Sequence, residues 1–252
     1  ASDVAAAWSA GKIAAYTCDN KKAPLNFTTD GGSSWFPSPK LPERSTGGTV
    51  SVSCDGSRIF WVPGNVAAPV YFTTDQGNSW FKPNGLGLGA KIYANTSDPM
   101  LVYAVCSGSV YRSEDGGTNF TATGLSVADN SELVPCHDAP DGIWIRSGTS
   151  VGYSQDRAAT VDYIKDVSAN AIGTGAPKNE GGNAPLYIMG EVGGQGGGIY
   201  MTEDHGKHWS KLTTEKDGFG NLTPSITGDA SVYGKFYFAT NGRGIITGQI
   251  KT

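Results

Sequence analysis

Carboxylate side chains recur at regular spacing along this sequence. Such groups can act as general acids or bases, or they can bind calcium. Five aspartates return at intervals of 40 to 48 residues; they are Asp30, Asp75, Asp115, Asp156 and Asp204. Each stands two residues after a Ser or Thr, and in four copies a Trp or Phe follows five residues later. A residue that recurs in every repeat has the same structural role in each repeat. The spacing therefore predicts a structural turn rather than a catalytic or metal site.

The repeated segment has the composition of a tight hairpin turn. Its Ser or Thr hydroxyl and its Asp carboxylate can accept hydrogen bonds from backbone N–H groups that the turn leaves without partners. Its glycines allow a backbone with positive φ. The closing aromatic residue is predicted to fold back beneath the turn into the core, as Trp35, Trp80 and Trp209 would do.

The elements that carry these turns are predicted to be β-strands. Runs of β-branched and aromatic residues alternate with turn residues, as in Val50–Ser53, Arg58–Val62, Leu101–Val105 and Lys235–Ala239. Apolar residues at helical spacing are almost absent from the sequence, and 36 glycines suit a chain with many turns. Short strands in repeats of this length are typical of β-propeller blades or of a β-solenoid.

Each repeat is predicted to form four antiparallel strands, with the Asp turn joining the third to the fourth. The repeats cover Asp3–Pro37, Gly48–Pro83, Leu88–Thr123, Asn130–Ile164 and Ala169–Leu212. A last segment, Asn221–Ile250, supplies three strands without such a turn. The sequence therefore predicts an all-β fold, a single β-propeller domain over residues 1–252 with about five to six four-stranded blades.

Composition argues against several classes of partner. The net charge is −4 and the arginines are scattered, whereas nucleic-acid binding needs a basic stripe. The sequence has no apolar run of about 20 residues, which a membrane-spanning helix needs. It has no Cys-x-x-Cys or His-x-x-x-His spacing, so neither a metal nor a cofactor is predicted. Ala1–Asp3 has the form of a mature N-terminus left after a signal peptide, which favours a secreted protein.

The four cysteines support the same compartment. Cys18 and Cys54 end neighbouring predicted strands of the first two repeats, and Cys106 and Cys136 hold the same places in the next two. This duplicated placement predicts the disulfides Cys18–Cys54 and Cys106–Cys136. Each would stabilise the fold by about 3–4 kcal/mol, because it restricts the conformations of the unfolded chain. The alternative is four buried thiols. Sequons at Asn95 and Asn221 predict a glycoprotein.

Two segments resemble one family in particular. The five turns mark the Asp-box, or bacterial neuraminidase repeat, class of propellers, and Gly47–Gly64 and Ile226–Ile246 resemble the C-terminal propeller of glycoside hydrolase family 74 xyloglucanases. With the turns between them, the resemblance covers essentially the whole chain. It implies binding of a plant cell-wall β-1,4-glucan, a polysaccharide or oligosaccharide of xyloglucan type. In that family a cleft between two propellers holds one catalytic aspartate from each, and water attacks with inversion.

The sequence departs from the family at its catalytic residues. The family's acid stands in a Gly-Asp-x-x-Gly-Phe-x-His setting that does not occur here, so no catalytic residue is carried over. Glu191 and Asp141 are candidate replacements on loops, and the alternative is that both are ordinary turn carboxylates. The sequence therefore predicts a carbohydrate-binding propeller without the family's chemistry. The alternatives are a small glycoside hydrolase with a relocated carboxylate pair or a partner chain, and a propeller that binds a protein.

Sugar binding asks for an aromatic platform and a few hydrogen-bonding groups. The candidate platforms outside the turns are Trp61, Trp144, Tyr187 and Tyr233, and for the two tryptophans a core position is the alternative. Arg243 could bond a ligand or cap the last hairpin. The Gly-rich segments Lys178–Asn183 and Gly193–Gly198 are predicted to be exposed loops on one face, bordering a groove.

Overall fold

The computed structural model describes residues 3–7, 12–42, 46–64, 68–214, 222–240 and 244–250. Across these ranges the secondary structure consists of β-strands alone, which confirms the all-β prediction. The chain divides into two compact units, residues 1–129 and 130–252. The described residues hold no helix that is long and apolar enough to cross a membrane. One domain of five or six blades stays a prediction.

The first unit contains three antiparallel sheets whose strands follow one another in chain order. Two have the predicted four strands. In the second sheet the fourth strand is reduced to a single bridge between Phe72 and Phe81. The strands are β1 (Asp3–Ala6), β2 (Ala14–Thr17), β3 (Leu25–Thr28), β4 (Phe36–Pro37), β5 (Thr49–Val52), β6 (Ile59–Val62), β7 (Tyr71–Thr73), β8 (Lys91–Ala94), β9 (Val102–Cys106), β10 (Ser109–Ser113) and β11 (Thr121–Ser126).

The second unit joins the fourth and fifth repeats into one seven-stranded sheet and adds a three-stranded sheet. The link is β15, whose first half pairs with β14 at Tyr163 and whose second half pairs with β16 at Gly173. The last sheet has the three strands predicted for it. The strands are β12 (Glu132–Pro135), β13 (Ile143–Ser147), β14 (Ser150–Ser154), β15 (Asp162–Thr174), β16 (Leu186–Val192), β17 (Gly198–Thr202), β18 (Ser210–Lys211), β19 (Leu222–Gly228), β20 (Lys235–Thr240) and β21 (Gly244–Gln249).

In the first unit the cores lie between neighbouring sheets. In the second unit one core lies among the strands of the seven-stranded sheet, and another lies between that sheet and the last one. In β20 every second side chain is buried, so one face of the strand supplies the core, as strand geometry requires. Leu25 of β3 and Trp61 of β6 meet in one cluster of the first unit, and Tyr187 and Phe236 meet in one of the second. Each such side chain contributes about 1.5–3 kcal/mol by leaving water. A truncation such as Leu25→Ala would cost about 2–5 kcal/mol.

The repeated turn has the predicted hydrogen bonds in all five copies. The Ser or Thr hydroxyl donates to the Asp carboxylate over 2.7 to 2.9 Å. The same hydroxyl accepts the amide four residues later at 2.8 to 3.0 Å. The carboxylate accepts a further amide, also four residues on, at 2.8 to 2.9 Å. Each aspartate is therefore occupied by its own turn.

The closing aromatic residues are less buried than the sequence predicts. Trp35 is 36% exposed and meets Tyr16 edge-on, with ring centroids 4.8 Å apart. Trp80 and Trp209 are half-buried, and their indole N–H groups donate to the carbonyls of Lys40 and Gly206. The core prediction is wrong for Trp35, because its ring covers the outside of its own turn instead of entering the space between sheets.

The predicted disulfides are wrong, since the four cysteines are thiols in this structure. The Cys18 thiol donates to the carbonyl of Ala23 at 3.1 Å, and the Cys106 thiol lies 3.8 Å from the carbonyl of Leu88. Burial raises the pKa of the Cys136 thiol to about 12. Cys54 is also buried. Each thiol thus occupies a site within its own unit, and the alternative of buried thiols holds for Cys54, Cys106 and Cys136.

The predicted glycan at Asn95 also conflicts with the structure. The Asn95 side chain is buried, and its carbonyl oxygen accepts the amides of Ser97 at 2.8 Å and Asp98 at 2.9 Å. It therefore stabilises a turn and is not offered to solvent, as a glycan requires. Asn221 lies outside the described residues.

The two Gly-rich segments are exposed loops, as predicted, but they do not lie on one face. The first connects β15 to β16 and the second connects β16 to β17. Successive connections in an antiparallel sheet lie at opposite ends of the shared strand. The two loops therefore cannot border one groove.

Candidate functional site

Three of the four predicted sugar platforms are core residues. Trp61, Trp144 and Tyr187 are fully buried. The Trp61 indole donates to the carbonyl of Gly47 at 3.0 Å, and Trp144 packs on Tyr153 with ring centroids 4.7 Å apart. A sugar stacks only on a ring face that solvent can reach, so the platform prediction is corrected for these three. The sequence contained evidence for the burial of both tryptophans, because each stands among consecutive apolar strand residues.

Tyr233 is the predicted platform that reaches the surface. It is half-buried in the connection between β19 and β20. Burial and a hydrogen bond with Glu203 raise the pKa of its phenol to about 12. The ammonium of Lys178 lies 5.8 Å from the centre of its ring. A neutral phenol, a carboxylate and an ammonium therefore meet at this position.

The polar groups around Tyr233 are fixed by their neighbours. Asn183 donates to the carbonyl of Glu203 at 3.1 Å, which joins the Gly-rich loop to the fifth repeated turn. Asp229 accepts the amides of Ser231 and Val232, both at 2.9 Å, and the hydroxyl of Tyr237 at 2.7 Å. Those hydrogen bonds, led by the one from Tyr237, lower the pKa of Asp229. The loop that carries Tyr233 is thus held in place before any ligand arrives.

Asp141, one candidate catalytic residue, is occupied by a structural contact. Its carboxylate lies 2.5 Å from the guanidinium of Arg157, and its carbonyl accepts the Arg157 amide at 3.0 Å. Arg157 stands in the fourth repeated turn with a φ of +59°. The pair therefore holds that turn against the loop before β13, which agrees with the alternative of a turn carboxylate.

Glu191, the other candidate, lies in an open depression of about 320 Å³ at the end of β16. The depression is also lined by Asp166, which the sequence analysis missed and whose φ is +57°. Both carboxylates are exposed. Glu191 is four residues from Tyr187, or about 13 Å along an extended strand. Tyr187 lies near Tyr233, at the other end of β16 from Glu191. Glu191 and the surface around Tyr233 are therefore two separate sites on the second unit.

Arg243, the remaining predicted ligand-binding residue, lies outside the described residues. The described part of the chain contains no cluster of three or more His, Cys, Asp or Glu side chains that could hold a metal ion.

Antiparallel sheets that follow one another along the chain, with the same turn recurring between consecutive strands, are typical of a β-propeller. The β-propeller domain of the Trilobed protease from Pyrococcus furiosus has the same fold, with a TM-score of 0.57 at 13% identity, over 97% of this chain and 80% of that one. At that identity the likeness concerns the fold alone. No family model matches the chain.

The chain is homologous to xyloglucanases. It is 30% identical over 242 residues to a xyloglucanase of Paenibacillus sp., covering 92% of this chain and 23% of the relative. It is 33% identical over 230 residues to a xyloglucanase of Acetivibrio thermocellus, covering 89% of this chain and 27% of the relative. The structure of the family 74 xyloglucanase of Xanthomonas campestris matches with a TM-score of 0.88 at 27% identity, over 99% of this chain and 37% of that one. The chain thus spans about a quarter of the length of these two relatives.

Proposed function

We propose that this chain binds xyloglucan-type β-glucan of the plant cell wall, outside the cell, and that it does so without cleaving the polymer by itself. The observation that carries the proposal is the homology to xyloglucanases over about nine-tenths of the chain. The binding surface that we assign to the second unit is the phenol of Tyr233 with the polar groups of Lys178, Asn183 and Glu203 beside it.

The chemistry of this surface suits a sugar. The C–H groups of a pyranose can pack on a tyrosine ring, while its hydroxyls can donate to a carboxylate and accept from an ammonium or an amide. Lys178, Asn183 and Glu203 are all exposed, so they can exchange water for sugar hydroxyls. Because the loop of Tyr233 is pinned by Asp229, little chain ordering opposes binding.

Binding without hydrolysis is supported by the state of the candidate acids. Asp141 is engaged by Arg157, and Glu191 and Asp166 are exposed to water. A general acid in a glycosidase needs a carboxyl whose pKa is raised, and burial is the usual means. Hydrolysis by a longer protein that contains this segment is compatible with the proposal.

The test measures retention of the protein on insoluble xyloglucan together with the release of reducing ends. We expect retention without new reducing ends, and weaker retention for Tyr233→Ala. The matched control is Tyr163→Ala, since Tyr163 is also an exposed tyrosine of the second unit but lies on β15.

Failure of the unaltered chain to bind any β-glucan would refute the proposal. If Tyr233→Ala were retained as well as the unaltered chain, the assignment of the binding surface to Tyr233 would be refuted. Reducing ends that disappear in Glu191→Gln would show that the chain is itself a hydrolase.

A further inference from the structure

The first unit carries an exposed aromatic residue that the function assigned above does not use. Phe36 lies on the short edge strand β4 and is 60% exposed. It follows the closing Trp35 of the first repeated turn. The equivalent residue of the second repeat, Phe81, follows Trp80 and is 50% exposed. A single exposed phenylalanine is ordinary on a protein surface, so the surroundings of the two rings decide whether either has a role.

Phe36 lines a depression of about 170 Å³, and Phe81 is not among the residues that line it. The first repeat contributes its apolar side through Phe36, Pro37 and Pro39. The second repeated turn contributes a polar side through Gln76 and Asn78, both exposed amides. The depression therefore has an apolar side and a hydrogen-bonding side, built from two different sheets of the same unit.

The depression is preformed, because the two repeats are bonded to each other beneath it. The Lys40 amide donates to the carbonyl of Gly77 at 3.2 Å, and the Trp80 indole donates to the carbonyl of Lys40 at 2.9 Å. The Ser38 hydroxyl packs so closely that a Cβ on Gly77 would lie 2.2 Å from its oxygen. The Asn78 amide is fixed by donating to the carbonyl of Asp75 at 2.8 Å.

The lining selects a ligand by its chemistry. The described residues that line the depression are aromatic, proline, threonine and amide side chains without a formal charge, which favours a neutral ligand over an anion or a cation. A flat apolar side opposite amides matches a pyranose, which has apolar C–H faces and a hydroxyl edge. The volume is below the roughly 300–1,000 Å³ of sites that enclose a drug-sized ligand, so it suits a single sugar ring of an open chain.

We propose that this depression is a second glucan-binding site, in which one hexopyranose unit of a neutral β-glucan stacks on Phe36 and its hydroxyls bond to Gln76 and Asn78. The proposal rests on the proposed function for the choice of polymer. It adds a site in the first unit, distinct in its residues from the Tyr233 surface of the second.

The experiment is a titration with soluble xyloglucan oligosaccharides, in which isothermal titration calorimetry measures the binding. It is carried out on four proteins: the unaltered chain, Phe36→Ala, Phe81→Ala and Tyr233→Ala. Phe81→Ala is the matched control, because it removes a phenylalanine of similar exposure at the same place in the neighbouring repeat. Thermal unfolding of each variant establishes that it is folded, and Phe36→Tyr restores an aromatic ring to the site.

We expect Phe36→Ala to bind about tenfold more weakly at one of two sites or to lose that site, as the loss of one stacked aromatic ring predicts. Phe81→Ala should bind as the unaltered chain does, and Phe36→Tyr should retain binding. Equal binding by Phe36→Ala would overturn this site and leave the proposed function standing. Equal weakening in both phenylalanine variants would also overturn it, since the depression would then have no special role. Absence of binding by the unaltered chain would overturn both proposals.

Discussion

Replacing Gly117 by alanine should destabilise the first unit more than the same replacement at Gly32. The two glycines hold the same place in their repeated turns, with φ values of +84° and +88°. Both substitutions therefore put a side chain into the left-handed region, which costs about 1–2 kcal/mol.

The two sites differ in the space beside them. An added Cβ at Gly32 would lie 3.6 Å from the nearest atom of Trp35, an ordinary contact. At Gly117 it would lie 2.5 Å from two ring atoms of Phe60. Phe60 is fully buried and packs on Phe72, with ring centroids 6.1 Å apart, so its ring has no free space to move into. Overpacking of this kind adds about 1–3 kcal/mol.

The expected losses in free energy of unfolding are therefore about 1–2 kcal/mol for Gly32→Ala and about 2–5 kcal/mol for Gly117→Ala. Urea unfolding of both variants and the unaltered chain, followed by tryptophan fluorescence, measures the difference. Equal losses at the two positions would refute the reasoning, because they would mean that the core around Phe60 yields to an extra methyl group at no cost.

Three further results are expected. The hydroxyl of Thr160, followed by its amide, lowers the pKa of Asp156 from 3.8 to about 2, so the stabilisation by this carboxylate is complete above about pH 4 and is lost as the pH falls toward 2. The difference in Tm between the chain and Asp156→Asn should therefore shrink over that range; a constant difference would contradict the assignment. A thiol reductant should leave Tm unchanged because the chain holds no disulfide, and a lowered Tm would reveal one. Asn95→Ala should lower the free energy of unfolding by about 1–3 kcal/mol, since it removes two partly buried hydrogen bonds worth about 0.5–1.5 kcal/mol each. Mass spectrometry of the chain secreted from a eukaryotic host should find no glycan at Asn95.

The repeated turns could be predicted from the sequence in detail. The hydrogen bonds that recur in all five turns join residues two or four positions apart, as between Thr28, Asp30 and Gly32. Such contacts depend on local residue types and not on what the rest of the chain does. The strands around the turns could also be predicted, because β-branched and aromatic residues fit a pleated, half-buried surface.

The sequence could not decide which aromatic rings face solvent. For Trp61 and Trp144 the sequence leaves a core position and a sugar platform equally open. Both are buried: Trp61 packs against residues of the first sheet, and Trp144 packs against residues of its own seven-stranded sheet. Phe36 lies on the edge strand β4 and is exposed, and Trp35 just before that strand covers its own turn. Burial depends on what packs against a strand, and the strand's own residues do not specify that.

The sequence by itself determined the all-β repeat, its turn and the homology that points to β-glucan. Only the tertiary structure showed that β15 serves two repeats, that the cysteines occupy separate sites, and that Phe36 and Gln76 line one depression. The physical reason is the separation along the sequence of the residues that come together. The turn is closed by contacts within five residues, whereas the depression at Phe36 joins residues some 40 positions apart, whose distance is set by how neighbouring sheets pack.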